Sequence, residues 1–321
     1  MNEKKKLILK ETFASAVQNH KKGNFQIAKE LYKEILNVDP KNLQSIILLG
    51  TVSGQTKNFD LAKQLFQKAI KISPNFAEAH YKLGIILKEL GEIQKAIGCY
   101  EKAIEINPNY VEAHNNIGNL LHKSGKVEKA INCFKKAIEI DPNDADVHNN
   151  LGNCYEELND FKKAIKCYEK AIEINPNYVD AYNNLGIAFK NFGEVQKAIN
   201  CYKKTIELQP SHLDAHNNLG SAFRKLGEIQ KAISCYEKAI KINPNYLLAY
   251  NNLALAFRKL NDLKKAASYY EKALNIDPNR KEVCEGYGDL LFKLNMHIKA
   301  LTYIKKSTGF IRFTQKDVKI I

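Results

Sequence analysis

The sequence has no tryptophan, only two methionines, and none of the short motifs that usually mark a catalytic centre. It contains no glycine-rich phosphate loop, no nucleophile elbow and no Cys-x-x-Cys pair. Near the N-terminus the only apolar run is Leu7-Ile8-Leu9, which is too short for a signal peptide or a membrane span. We therefore predict a cytoplasmic, non-enzymatic protein with no cofactor, no bound metal and no membrane insertion.

Proline is confined to one regular series. Each of the eight prolines, from Pro40 to Pro278, lies 34 residues after the one before it. Such a period predicts a tandem array in which one unit determines the architecture. With proline as position 32, we expect an array over residues 9–308, after a basic leader of residues 1–8 and before a tail of residues 309–321. The nine predicted repeats begin at residues 9, 43, 77, 111, 145, 179, 213, 247 and 281.

Each unit is predicted to form two helices, A and B. Alanine occupies position 20 in all nine repeats, glycine or alanine occupies position 8, and an aromatic residue occupies position 24 in eight. Position 15 is glycine or asparagine except for Lys57 in the second repeat. Glycine and asparagine enter the left-handed conformation at low cost, so helix A should end there. The proline should end helix B, because the residue before a proline disfavours the helical conformation.

The pattern resembles the tetratricopeptide (TPR) repeat, as Gly220, Ala232, Tyr236, Ala239 and Pro244 of the seventh repeat illustrate. The resemblance implies an all-α fold, an α-solenoid of about nine helix–turn–helix repeats in a right-handed superhelix. It also implies a protein-interaction scaffold that binds an extended peptide segment in a concave groove. The helix A series Ala-His-Asn-Asn-Leu-Gly is similar to the TPR array of O-GlcNAc transferase. The alternative is therefore the targeting array of a larger, O-GlcNAc-transferase-like enzyme whose catalytic domain is absent from this chain.

Five successive repeats carry asparagine at position 6, and we call these residues the asparagine row. From its apolar spacing, helix A should bury positions 3, 4, 7, 8 and 11 and expose positions 2, 5, 6, 9, 12 and 13. In the TPR family this exposed face lines the groove, and an asparagine there binds peptide. An amide offers a donor and an acceptor that suit a peptide backbone. Alternatively, recently duplicated repeats keep asparagine without any ligand. The row consists of Asn116, Asn150, Asn184, Asn218 and Asn252.

Charged residues add a second set of candidates. Lys190, Arg224 and Arg258 at position 12 are predicted to give the groove charge selectivity, although bases in the last turn of a helix are also what the helix dipole favours. The net charge of +14 could suit nucleic acid, but lysines occur in every repeat, and a solvated outer face explains them. We therefore expect a protein or peptide partner and not nucleic acid.

The regularly spaced histidines and cysteines are predicted to be structural. Equivalent residues of stacked repeats lie roughly 10 Å apart, too far for a shared metal ion or for a disulfide, which spans about 7 Å between Cα atoms. We expect core histidines and reduced, buried thiols. The histidines are His80, His114, His148 and His216 at position 4, and the cysteines are Cys99, Cys133, Cys167, Cys201 and Cys235 at position 23.

The C-terminal tail differs in composition from the repeats. Residues 310–313 and 318–320 are rich in β-branched and aromatic side chains, which predicts two short strands. Two interpretations stay open. Either a longer natural protein continues here into another domain, or the tail folds back over the apolar face of the last helix.

Overall fold

A computed structural model describes residues 3–308, 311–313 and 318–320, with side chains for residues 5–307. Within these residues 18 helices follow one another along the chain. Their bounds are α1 Glu3–Lys21, α2 Phe25–Val38, α3 Leu43–Gln55, α4 Phe59–Ile72, α5 Ala77–Glu89, α6 Ile93–Ile106, α7 Val111–Lys123, α8 Val127–Ile140, α9 Ala145–Glu157, α10 Phe161–Ile174, α11 Val179–Phe192, α12 Val195–Leu208, α13 Leu213–Lys225, α14 Ile229–Ile242, α15 Leu247–Lys259, α16 Leu263–Ile276, α17 Lys281–Lys293 and α18 His297–Thr308.

Helix A begins at the residue that the proline period predicts in every repeat from the second to the ninth, for example Leu43 in α3 and Lys281 in α17. The first repeat differs, because α1 begins at Glu3 and not at Leu9. Residues 3–8 contain glutamate, lysines, leucine and isoleucine but no glycine or proline, so nothing in them stops a helix. Most of the predicted basic leader is therefore part of α1.

The turn between helices A and B uses a left-handed residue in all nine repeats. Five glycines, three asparagines and Lys57 have positive φ, and among the described residues no others do. All nine stand at position 15. Lys57 adopts φ 59° although its side chain disfavours that conformation. The prediction for position 15 is confirmed, and the backbone requirement holds even where the residue type departs from it.

Close packing of helices A and B depends on small residues. The position 20 alanines are fully buried in all nine repeats. The position 24 rings of the first eight repeats are also buried, with at most 2% of their surface exposed. In five repeats the ring lies against the glycine at position 8 of its own helix A. A Cβ atom on Gly220, for instance, would lie only 2.5 Å from Cε1 of Tyr236. The missing side chain at position 8 therefore makes the space for the ring.

The chain divides into two compact units, Met1–Cys154 and Tyr155–Ile321. The first unit has a continuous core of buried apolar residues from Ala16 to Leu120. The core of the second unit extends from Ala164 to Ala300. Within each unit a helix contacts chiefly the helices before and after it in the sequence. This arrangement confirms the predicted all-α stack of helix pairs, in which each repeat is stabilised by its neighbours.

The C-terminal tail forms the two strands predicted from its composition. Strand β1, Ile311–Phe313, pairs antiparallel with β2, Val318–Ile320, so that Arg312 lies opposite Lys319. The proposed covering of the last helix concerns side chains outside the described residues. In the described part of the chain, no helix combines the length and the apolar character needed to cross a lipid bilayer.

Candidate functional site

The asparagine row is a series of hydrogen bonds between adjacent repeats. Nδ2 of Asn150 donates to Oδ1 of Asn115 at 3.1 Å, and Nδ2 of Asn252 donates to Oδ1 of Asn217 at 2.7 Å. Each such bond, here called a rung, joins position 6 to position 5 of the preceding repeat. The remaining members are Asn218, which donates to Asn183 at 3.3 Å, Asn116, which donates to the Tyr81 hydroxyl at 3.1 Å, and Asn184, which also has an interaction partner.

These bonds correct the prediction that position 5 is exposed. Asn149, Asn183 and Asn217 are all buried, with at most 8% of their surface exposed. The next helix A packs over this position, and the rung satisfies the buried amide oxygen of Asn183 and Asn217. Hydrophobic spacing could not reveal this, because it assigns polar residues to the exposed face by default.

The asparagines at position 6 are half-buried. In the part of the chain that the structure describes, Asn116, Asn150, Asn218 and Asn252 each make the rung as their one side-chain hydrogen bond. One N–H and the carbonyl oxygen of each amide are therefore open to a ligand. The rung orients the amide, and the open groups are those that a peptide backbone would need.

Two of the three predicted basic residues lie together in a cleft of about 730 Å³ in the second unit. We name it the basic cleft. Lys190 and Arg224 reach it from the last turns of α11 and α13, with Lys225 beside them. The sequence did not single out Lys225, and its position in the final turn of α13 was the available signal. The complete lining is Asn159, Phe161, Lys190, Asn191, Ser221, Arg224 and Lys225.

The cationic groups of this cleft are partly removed from water. Burial lowers the pKa of Lys190, Glu156 acts in the opposite direction, and the positive charge of Lys225 lowers it further. Glu156 is itself half-buried, and burial raises its pKa although the Tyr168 hydroxyl donates to Oε2 at 3.0 Å. Nε of Arg224 is buried without a hydrogen-bond partner. Such a set of groups favours a negatively charged ligand.

Arg258 is placed differently from the other two predicted basic residues. Its Nη1 donates to the Tyr270 hydroxyl and to the carbonyl of Gly286, both at 3.2 Å. The first bond joins helices A and B of the eighth repeat, and the second joins helix A of the eighth repeat to helix A of the ninth. Arg258 does not line the basic cleft, so the structure brings Lys190 and Arg224 together without it.

A second cleft, of about 330 Å³, lies in the first unit, and we name it the apolar cleft. It is lined in part from the same repeat positions as the basic cleft, but Gly54 stands at position 12. Phe59, Phe66, Ile85 and Ile86 supply most of its wall. The sequence analysis missed this cleft, although glycine at a position that is basic in the sixth and seventh repeats was a visible signal.

The histidines at position 4 link adjacent repeats instead of binding metal. The Nε2–H of His148 donates to the carbonyl of Pro142 at 2.9 Å, and His216 makes the same bond to Pro210 at 2.9 Å. His80 and His114 donate to Pro74 and Pro108 in the same way. The prediction of core histidines is confirmed for His148 and His216, whereas His80 and His114 are only half-buried. Among the described residues, no group of three or more His, Cys, Asp or Glu is arranged to hold a metal ion.

The cysteines are free thiols, as the sequence predicts. Burial raises the pKa of Cys235 and Cys167 to about 11, and that of Cys201 to about 12. These thiols are protonated at neutral pH, so they behave as small apolar side chains and are poor nucleophiles.

Comparison with known families agrees with the repeat geometry. Models described as tetratricopeptide repeat match residues 43–76, 65–98, 145–178, 167–200 and 211–279, and a model described as TPR repeat matches residues 86–125, 118–159 and 192–227. The chain belongs to the tetratricopeptide repeat family. Together the matches cover residues 43–279 without a gap, and the fold is that of an α-solenoid built for protein interaction. A search of curated proteins found no match.

Several solved TPR structures are similar to the chain. YrrB, described as a TPR protein with an unusual peptide-binding site, is 27% identical over 59% of this chain and 97% of its own, with a TM-score of 0.52. The pilF protein of Pseudomonas aeruginosa is 21% identical over 66% of this chain and 96% of its own, with a TM-score of 0.58, and shows the fold alone. MamA is 30% identical over 54% of this chain and 94% of its own, with a TM-score of 0.48.

Proposed function

We propose that this protein is a non-catalytic scaffold that binds an extended peptide segment along the exposed face of its A helices. The asparagine row would hold the peptide backbone. The observation that carries the proposal is the rung geometry, because it orients the amides of Asn116, Asn150, Asn218 and Asn252 and leaves one N–H and one C=O of each open. The similarity to YrrB, a TPR protein with a peptide-binding site, supports the same class of ligand.

The expected affinity follows from the hydrogen bonds. Each one contributes roughly 0.5–1.5 kcal/mol net, and ordering a flexible peptide takes back several kcal/mol. Amides that are already oriented lose little freedom on binding, which reduces the cost on the protein side. A dissociation constant in the micromolar range is the expected result.

The alternative is that the row persists without a ligand, either through recent duplication or because the rungs stabilise the stack. A test must therefore separate loss of binding from loss of folding. The chain offers a matched control, since exposed asparagines follow six of the prolines and five of them can be replaced together. Their side chains take no part in the rungs. They are Asn109, Asn143, Asn177, Asn245 and Asn279.

The experiment compares three forms of the full chain: wild type, a variant with alanine at all five row positions, and a variant with alanine at the five loop positions. Peptides selected from a displayed random library on the wild type are titrated into each form by calorimetry. We expect binding to the loop variant and at least a tenfold loss for the row variant, with helical circular dichroism retained in both.

Equal affinity for the row variant and the wild type would contradict the proposed role of the asparagines. Failure to select any peptide would contradict the proposed function as a whole. The targeting array of a larger enzyme would use the same helix face, so the same titration applies to that alternative.

A further inference from the structure

We propose that the basic cleft is a subsite for the carboxylate side chains of the bound segment, so that the preferred partner is an acidic peptide. The inference rests on the proposed function and adds to it the chemical class of the partner. The groups that would receive the carboxylates are Lys190, Arg224 and Lys225, with amide and hydroxyl donors from Asn191 and Ser221 nearby.

Several lysines of the B helices have an acidic partner, and the two lysines of the cleft do not. Nζ of Lys163 lies 2.6 Å from Asp160, and Nζ of Lys170 lies 2.8 Å from Glu173. Equivalent pairs recur in neighbouring repeats. By contrast, Lys190, Arg224 and Lys225 form no ion pair with the residues that the structure describes. Three bases without an ion-pair partner therefore line one cleft, and Glu156 is the carboxylate that acts on Lys190.

The helix dipole does not account for this concentration. It favours a base in the last turn of a helix by roughly 0.3–1 kcal/mol, but that effect acts on each helix separately. Here Nζ of Lys225 lies 3.4 Å from the carbonyl oxygen of Lys190, which holds bases of two helices near one another. Like charges at close range repel. The buried Nε of Arg224 has no hydrogen-bond partner among the described residues, so it is available to an acceptor oxygen of a ligand.

The cleft continues the face on which the asparagine row lies. Ser221 lines the cleft and follows Asn218 by three residues on α13, so both side chains project from one helix face. A peptide whose backbone lay along the row would therefore bring its side chains to the cleft. Arginine and lysine together favour carboxylates, because guanidinium and ammonium groups both form charge-assisted hydrogen bonds with them.

The basic cleft is too short to follow the backbone of a nucleic acid. Position 12 is Glu156 in the fifth repeat and Phe292 in the ninth, and Arg258 of the eighth is bound to Tyr270 and Gly286. Binding of a long polyanion depends on many phosphate contacts along its backbone. A cluster confined to the sixth and seventh repeats fits a few carboxylates of a short segment.

The test uses the full chain and a fluorescein-labelled peptide of alternating glutamate and glycine, followed by fluorescence anisotropy at low and physiological salt. A peptide with glutamine in place of glutamate and a single-stranded oligothymidine serve as competing probes. The cleft variant is K190Q/R224Q/K225Q. The matched control is K136Q/K170Q/K204Q, which removes the same charge from exposed helix B lysines that pair with Glu139, Glu173 and Glu207.

We expect the glutamate peptide to bind the wild type and the control alike, and the cleft variant about tenfold more weakly, as befits charge-assisted hydrogen bonds. The glutamine peptide should not distinguish the cleft variant from the wild type. Equal weakening in the control and cleft variants would overturn the proposal in favour of general electrostatic attraction. Tighter binding of oligothymidine than of the glutamate peptide, lost in the cleft variant, would overturn it in favour of phosphate recognition.

The row variant separates this inference from the proposed function. If library-selected peptides lose affinity for the row variant while the glutamate peptide ignores the cleft variant, the scaffold function stands and the acidic subsite is wrong. If neither variant affects any peptide, both proposals are wrong.

Discussion

The apolar cleft of the first unit and the basic cleft of the second share lining positions 9, 12, 13, 15 and 17 of the repeat, and the apolar cleft is also lined from positions 6, 8, 10 and 24. Their chemistry nevertheless differs. Gly54 stands in the first unit where Lys190 and Arg224 stand in the second, so phenylalanine and isoleucine side chains form one wall and charged groups form the other. Substitutions at lining positions have therefore changed the surface without changing the helices beneath it.

The packing beneath the two clefts is the same. Gly50 lies against Phe66 in the first unit, and Gly220 lies against Tyr236 in the second. We call positions 8, 15, 20 and 24 the frame positions, because they fix how helix A meets helix B, and positions 9, 12, 13 and 17 the lining positions. The comparison teaches that frame positions specify the fold and lining positions specify what it can bind. Each prediction below tests that division.

The largest effect is expected at position 8. In Gly50→Val and Gly220→Val the new Cβ would lie 2.8 Å and 2.5 Å from Cε1 of the facing ring, so overpacking should lower the free energy of unfolding by about 1–3 kcal/mol. Urea unfolding followed by circular dichroism measures the loss. The two variants should be destabilised to a similar extent. A large loss in one unit and none in the other would show that the frame is not shared.

The rungs come next, and two kinds occur, one with an asparagine acceptor and one with the Tyr81 hydroxyl as acceptor. Asn217→Ala removes the buried acceptor of Asn252 and should cost about 1 kcal/mol. Tyr81→Phe removes only the hydroxyl that accepts from Asn116, and the ring keeps its packing on Tyr110 at 4.8 Å between centroids. It should cost about 0.5 kcal/mol. Unfolding in urea would show the order, and a larger loss for Tyr81→Phe would reverse our ranking of the rungs.

The position 15 turn should respond to Lys57→Gly with a gain. A lysine at φ 59° is strained, and glycine relieves that strain while losing more freedom on folding, so we expect about 0.5–1 kcal/mol of added stability. Gly227→Lys is the reciprocal change in the second unit and should destabilise by a similar amount. Thermal denaturation of both variants checks the sign. If both substitutions changed the stability in the same direction, the strain assigned to Lys57 would be contradicted.

The smallest effect on stability is expected at the lining. Gly54→Arg places a Cβ 2.9 Å from Cδ1 of Ile86, the end of a flexible side chain that can shift, and the helix gains from losing a glycine. We expect the free energy of unfolding to change by less than about 0.5 kcal/mol. The same variant should bind the glutamate–glycine peptide more tightly than wild type does. Strong destabilisation would show that position 12 belongs to the frame.

The proline period alone predicted where helix A begins in eight repeats, because those boundaries depend on local turn chemistry that the sequence displays directly. It could not predict that α1 extends back to Glu3, since the period says nothing about residues before the first unit. The burial of Asn183 and Asn217 was also missed. Their partners come from the next repeat, and a contact made across repeats leaves no mark on the hydrophobic pattern of one helix.

The candidate site was predicted in part for the same reason. Lys190 and Arg224 line one cleft. This was expected, because they stand on the same helix face in adjacent repeats. Arg258 stands at the same repeat position but does not line the cleft, because it donates hydrogen bonds to the carbonyl of Gly286 and the hydroxyl of Tyr270. Contacts with the following repeat decide which of these bases are left without a hydrogen-bond partner. Such tertiary contacts cannot be read from the sequence of one repeat.

Every rung in this protein joins residues that are 35 apart in the sequence, one repeat plus one residue. Excision of one whole unit from the fourth to the seventh repeat therefore leaves an asparagine at position 6 facing a tyrosine or an asparagine at position 5. Loss of residues 213–246, for example, would present Asn252 to Asn183 in place of Asn217. Unequal recombination between repeats of the gene can therefore add or remove whole units in this part of the array. The asparagine at position 6 then meets a hydrogen-bond acceptor across the new junction.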